Sequence, residues 1–190
     1  MKIRDLEKED VKDAVRILIL SFDRELNSIL RDIELAREIF FKFFSKYREN
    51  CIVAEAERIV GFASFSVQKP PLSAFLRSEM GFVRGLKTSL LLSYLCPKPK
   101  KGEGVINFIA VSPLRRNSGV GSALLSEIID RAQDYGLRCL KCYVSVANDA
   151  GIGLLTKHGF VIEKMIDNSF AERNFGQRQW YLMKLELDTI

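Results

Sequence analysis

The apolar positions of this chain fall first into a helical rhythm and then into short β-rich runs. Lys2 to Asp5 reads as a brief first strand. Glu9 and Asp10 open an acidic first turn, after which Val11, Val15, Leu18 and Ile19 recur at helical spacing. A second helical stretch covers Ile33 to Tyr47, where Ile39, Phe40, Phe43 and Phe44 form a thick apolar stripe that reads as core. Cys51 to Ala56 and Ile59 to Val67 are β-rich and joined by the polar pair Glu57-Arg58, the pattern of an antiparallel hairpin. Pro70-Pro71 ends it. Two helical pieces are predicted next, Leu72 to Phe82 and Gly85 to Leu95. The basic stretch Pro97 to Gly102 then reads as a mobile loop.

Val105 to Val111 is a buried-strand run ended by Ser112-Pro113. Ser118 to Tyr135 predicts a long amphipathic helix, with Val120, Leu124, Leu125, Ile128, Ile129 and Ala132 on one face and Gly136 placed to cap its end. Leu137 to Val146 predicts a strand, and Asn148 to His158 a short helix closed by Gly159. Phe160 to Met165 and Gln179 to Leu187 predict the last two strands. Asp167 to Gln177 between them reads as a polar loop. The alternation in the second half argues a mixed α/β sheet with at least one parallel pair. No internal repeat is visible, which excludes solenoids and propellers.

Length and composition narrow the class. The 190 residues suit one domain, 1–190, with an insert at about 70–103. Apolar residues at 47% and charged residues at 28% allow a core without disulfide or metal staples. Lys+Arg exceeds Asp+Glu by 29 to 24, a net charge of +5, which suits an anionic ligand but does not demand nucleic acid. Cys51, Cys96, Cys139 and Cys142 are too few and too irregular for a disulfide framework. The charged N-terminus lacks the apolar stretch of a signal peptide, and Leu86 to Cys96 is too short and polar to span a bilayer. These features point to a soluble cytoplasmic protein with no membrane partner and with nucleic acid disfavoured.

The chemistry concentrates around Arg116-Asn117-Ser118-Gly119-Val120-Gly121. A buried strand leads there through Pro113 into a basic turn that opens a long helix. Gly119 and Gly121 remove side chains where a ligand would approach backbone. The first helical N–H groups have no internal partners, and the helix dipole adds partial positive charge. Together they form an anion site suited to phosphate or pyrophosphate, to which Arg115 and Arg116 add full charges. Neither the Walker nor the dinucleotide pattern fits. The plainer alternative is a basic helix start with two incidental glycines.

Arg116-x-x-Gly119-x-Gly121, preceded by Ile109-Ala110-Val111-Ser112-Pro113, resembles the signature of the GNAT superfamily of N-acetyltransferases. Asn148 and the segment Thr156-Lys157-His158-Gly159-Phe160 resemble that family's second element, separated from the first by a helix and a strand as the family requires. The resemblance covers Val105 to Phe160 at the level of motifs. It implies a mixed, mostly antiparallel twisted sheet of about seven strands with a central parallel pair and about four flanking helices, plus the helical insert. It also implies acetyl-CoA as acyl donor. Ile109, Ala110 and Val111 would pair with the pantetheine arm like an added strand. Arg116, Asn117, Ser118, Gly119, Val120, Gly121 and Ser122 would line the pyrophosphate turn, and Asn148 would touch the cofactor. The gap between the Val105–Val111 and Leu137–Val146 strands would admit the thioester.

The implied activity is acyl transfer to a primary amine of a peptide, protein or small molecule by direct attack. One departure bears on it: the family's proton-donating tyrosine, seven residues after the asparagine, is here Leu155. Tyr143 and Tyr181 are candidate replacements, with water as another. A non-catalytic acyl-CoA-binding module is the alternative that Leu155 favours. Developing charge on the carbonyl oxygen needs a donor, for which the backbone N–H near Val111 is the candidate. Glu103 shares strand parity with Val105 and Asn107 and is either a base on the acceptor side or a solvated carboxylate. Asn107, polar within an apolar strand, is either a structural hydrogen-bonder or an acceptor contact.

Cys139-Leu140-Lys141-Cys142 puts its cysteines on opposite strand faces and reads as core, and His158 reads as a surface residue, so no metal site is expected. The lysines of Pro97 to Lys101 read as solvated surface, as a contact for the cofactor's 3′-phosphate, or as a contact for an acidic partner. Phe75, Phe82, Leu86, Leu90, Leu91 and Tyr94 would pack on the sheet, line an acceptor pocket or join a homodimer.

Overall fold

The strands of the computed structural model, which describes residues 1–69, 71–93 and 98–187, are β1 (Lys2–Asp5), β2 (Cys51–Glu55), β3 (Ile59–Ser66), β4 (Glu103–Val111), β5 (Cys139–Ser145), β6 (Val161–Asp167) and β7 (Gln179–Glu186). They form one sheet in the order β1-β2-β3-β4-β5-β7-β6. Every neighbouring pair is antiparallel except β4–β5. This is the mixed, mostly antiparallel seven-stranded sheet with one central parallel pair that the motifs imply. Around the sheet lie α1 (Val11–Ser21), α2 (Asp23–Leu30), α3 (Ile33–Lys46), α4 (Leu72–Met80), α5 (Phe82–Leu92), α6 (Val120–Asp134), α7 (Asp149–Lys157) and α8 (Ser169–Phe175).

Two of these helices depart from the sequence reading. α2 forms directly after α1 and buries Leu26, Ile29 and Leu30. α8 stands where a polar loop was expected, with the Asn168 side chain capping it by accepting from the N–H groups of Phe170 and Ala171. The break in the insert also differs. It falls at Gly81, and α5 begins at Phe82. Tyr94 and Leu95 at the expected helix end, Cys96, Pro97 at the start of the expected loop, and Pro70 of the expected strand stop lie outside the described residues.

Two apolar clusters hold the faces of the sheet. One joins α1–α5 to Cys51, Val53, Phe62 and Ala110. The other joins α6 and Leu155 of α7 to Ile52, Ala63, Ile106, Leu140, Cys142 and Met183. β3 is buried at every position because both layers cover it. α6 is seated by Val120, Leu124, Leu125, Ile128 and Ala132, as its pattern predicts, while Ile129 is only partly buried. It ends as expected at Gly136. The Gly136 N–H donates to Gln133 O and the Leu137 N–H to Ala132 O, the paired bonds that satisfy a helix C-terminus.

β4 carries the feature that shapes the site. Its register against β3 passes from Ser64↔Phe108 to Phe65↔Ile106, leaving Asn107 as an extra residue, a β-bulge. Strict alternation would put Ile106 and Phe108 on one face. With the bulge, Ile106 enters the cluster under α6 and Phe108 packs against the opposite one. β4 and β5 pair only over Glu103–Val105 and Cys139–Lys141. Past the bulge, Phe108 to Val111 of β4 are in no register with β5.

Candidate active site

A groove of about 800 Å3 fills the space where β4 and β5 part. One wall is Ile106 to Ile109 with Val111, and the other is Cys142 to Ser145. Because β4 pairs with β3 on its far side, its free edge is turned toward the opening. An extended amide-bearing ligand can add there as a strand does.

The groove runs onto the start of α6. Asn117 and Gly119 hold left-handed backbone angles, φ 58° and 83°, and these turn the chain from Arg116 into the helix. A Cβ on Gly119 would meet nothing within 4 Å, so backbone angle rather than crowding selects glycine there. On Gly121 a Cβ would meet Leu154 at 3.3 Å, which fits close packing of α6 beside α7. No side chain caps α6, in contrast to the caps of α3 and α7 by Asp32 and Asn148. Its first N–H groups therefore have no side-chain cap, as at α1, α2, α4 and α5. Arg115, Arg116, Asn117, Gly119, Gly121, Ser122 and Lys157 all line this end.

Ile109, Val111, Arg116, Asn117, Gly119, Gly121, Ser122 and Asn148 thus come together in one groove. Ala110, Ser118 and Val120 do not line it. Ala110 and Val120 are buried in the two cores, and the Ser118 hydroxyl donates to Arg115 O at 2.6 Å. Asn148 has a structural task as well. Its Oδ1 accepts from the Gly151 N–H at 2.9 Å and starts α7. Leu155 lines the groove but is buried in the core under α6.

The catalytic candidates separate. Tyr143 and Asn107 line the groove. Asn107 Nδ2 donates to Ser66 Oγ at 2.7 Å. Tyr181 is not in the groove. It pairs across from Val144 rather than Tyr143, so it packs into the core under α6, and Trp180, opposite Ser145, faces the opening instead. Glu103 is also absent from the groove, because it starts β4 at the paired end and the bulge at Asn107 ends the parity that linked them. Its carboxylate meets Lys141 Nζ at 3.2 Å, with both side chains 13% exposed. Burial alone would raise its pKa, but the Lys141 ammonium outweighs that and holds the carboxyl below the ordinary range.

The opposite end of the groove went unread in the sequence. Ser21, Phe22, Arg24 and Glu25, at the α1–α2 junction, face Gln177 and Trp180 across it. The Arg24 guanidinium donates to Gly176 O at 3.3 Å and ties α2 to the turn after α8. The Ser21 hydroxyl is buried without a hydrogen-bond partner. Glu25 is the one carboxylate among the described lining residues. Arg24 and Glu25 belong to α2, which local pattern did not announce, and Gln177 follows α8, which it did not announce either.

Two other expectations meet the structure here. Cys139 and Cys142 are buried and unbridged. His158 is half-buried rather than on the surface. Its Nε2 is enclosed without a partner, and burial together with Lys157 lowers its pKa. Among the described residues no cluster of three or more metal-ligating side chains occurs, and no helix is long and apolar enough to cross a membrane.

The sequence from 15 to 160 matches the family model described as the acetyltransferase (GNAT) family. A search of curated proteins returns no significant match. Among solved structures, the chain is similar to the ribosomal-protein-alanine N-acetyltransferase from Brucella melitensis, with TM-score 0.68 and 20% identity over 98% of this chain and 100% of that one. Ard1 from Thermoplasma volcanium gives 0.65 and 20%, over 98% and 97%. The putative acetyltransferase yncA from Salmonella typhimurium, solved with acetyl-CoA, gives 0.63 and 19%, over 99% and 94%.

Proposed function

Because the chain belongs to the acetyltransferase (GNAT) family and acetyl-CoA is that family's donor, we propose that it transfers acetyl to a primary amine by direct attack, with no covalent enzyme intermediate. One observation carries this reading. A single groove joins the uncapped start of α6 to the α1–α2 junction, passing through the opening between β4 and β5. A donor held by its phosphates and an acceptor entering from the other side meet at the bulge.

The residues present fit acetyl-CoA. The α6 N–H groups, Arg115 and Arg116 would hold its phosphates, and the free edge of β4 its pantetheine amides. Bound there, it supplies an acetyl thioester. The backbone N–H near Val111 offers a donor for negative charge developing on the carbonyl oxygen. Tyr143, which lines the β5 wall, is the candidate to give a proton to the departing sulfur. Glu25 lines the acceptor end and suits an incoming ammonium, whose proton must leave before attack. Phe22 and Trp180 supply apolar walls there.

Thiol release from acetyl-CoA, followed with a panel of primary amines, tests the reading. Release that depends on the amine and yields its N-acetyl product is the expected result. Tight acetyl-CoA binding with no amine-dependent release would favour the non-catalytic module for which Leu155 speaks.

A further inference from the structure

Behind the bulge lies a second cavity of about 490 Å3, within the range of small-molecule sites. It sits between α3, the end of β3 and the α4–α5 insert. Phe40, Phe43, Tyr47, Leu72 and Leu92 line it. Asn107 and Phe108 line both this cavity and the groove. The Phe108 ring stands between them. It meets Phe22 of the groove edge-on at 5.4 Å and Phe40 of the chamber edge-on at 6.0 Å. The polar floor is the Asn107–Ser66 hydrogen bond. Lys46, Arg48, Lys69 and Lys98 also line the chamber, against the single carboxylate Glu49 among its described residues.

We infer that this chamber receives the body of the amine acceptor, and that the acceptor is an amine with an aromatic or branched apolar body ending in an anionic group. The inference rests on the acetyl-transfer reading and names its substrate class. Aromatic walls select the apolar body, since polar groups there would lose water without finding partners. The excess of cations selects the anion and disfavours polyamines. A longer acyl chain on the donor would also be apolar, but it would bring no charge to match the four cations. Asn107 and Phe108 border both spaces beside the bulge, so the amine at one end of such a molecule would reach the transfer point past the edge of the Phe108 ring while its body stays behind.

The test uses para-aminomethylphenylacetate, benzylamine, propylamine and spermidine as acceptors, and Ser89→Phe to fill the chamber from α5. An acetyl-CoA thermal shift establishes that the variant is folded. In the wild type, kcat/KM is expected to be highest for para-aminomethylphenylacetate, exceeding propylamine by about tenfold or more, the scale on which a hydrophobic pocket discriminates. Ser89→Phe should abolish that ratio, and the double change Lys69→Glu with Lys98→Glu should remove the advantage over benzylamine. Calorimetric titration with para-aminomethylphenylacetate gives a readout independent of turnover, and binding present in the wild type and lost in Ser89→Phe supports the chamber. Equal kcat/KM for all four amines, a preference for spermidine, or binding untouched by Ser89→Phe would overturn it. If acetyl-CoA binds but no amine is acetylated, the transfer reading fails, and the calorimetric arm still decides the chamber.

Discussion

Gly119 holds φ 83° with open space around its α-carbon. For an L-residue the left-handed region costs roughly 1–2 kcal/mol. Gly119→Ala is therefore expected to lower stability by about that amount, read by chemical denaturation. Gly119→Glu adds a negative charge where α6 presents uncapped N–H groups. Its expected effect is a loss of acetyl-CoA affinity of at least about tenfold, or 1.4 kcal/mol. Calorimetry showing undiminished affinity in Gly119→Glu would remove the phosphate site from this turn. The two tyrosines make a paired test at the same scale. Tyr143 faces the groove and Tyr181 the core. Tyr143→Phe should lower kcat by about 10²-fold, the lower range for a positioned acid. Tyr181→Phe should leave kcat near wild type. Equal kcat for Tyr143→Phe and wild type would assign proton delivery to water.

At the scale of elements, the parallel pair β4–β5 is fastened at its base by Glu103 and Lys141, and Lys141 also meets Glu163 of β6 at 3.4 Å. These contacts link β4, β5 and β6 just below the point where β4 and β5 part. Glu103→Gln is expected to cost about 1–3 kcal/mol, the penalty for leaving a largely buried charge short of a partner. Because the Glu103 pKa is lowered in the folded state, its stabilisation is fully present above its unfolded value near 4.5. It is lost as pH falls through the lowered folded value. The stability gap between wild type and Glu103→Gln should thus be constant near neutrality and vanish in acid. A large fall in kcat with stability unchanged would return Glu103 to a catalytic role.

Elements also show what the sequence could reveal. Phe40, Phe43 and Phe44 announced α3, and Leu124, Leu125 and Ile128 announced α6, because long amphipathic faces leave a periodic trace. The turn at Arg116–Gly121 was legible since its chemistry is local. α2 and α8 were not. α8 has seven residues, too few to sustain a period, whereas α2 carries Leu26, Ile29 and Leu30 at helical spacing, a short trace that the sequence reading passed over; both are held by tertiary contacts such as buried Leu26 and Ala171. The Asn168 cap was the one local hint of α8. The bulge at Asn107 left no trace either, since a register shift is a property of two strands. That is why the donor end of the groove could be read residue by residue and the acceptor end could not.

For the whole molecule, the decisive feature is that the groove lies on a seam. β1–β4 with α1–α5 stand on one side and β5–β7 with α7 on the other, and the central strands share only three paired positions. A ligand lying along β4, at the start of α6 and against β5 contacts both sides and binds only the folded chain. At about 100 times its dissociation constant it should add about 2.7 kcal/mol to stability. For a chain of 190 residues that corresponds to roughly 5–11 °C in melting temperature. Acetyl-CoA and CoA should both produce the shift, because the phosphates and pantetheine they share occupy the α6 start and the β4 edge. ATP offers phosphates without the pantetheine arm and should shift the melt much less. An equal shift with ATP would mean that the α6 turn binds anions without help from the β4 edge. No shift with any of the three would separate this seam from acyl-CoA altogether.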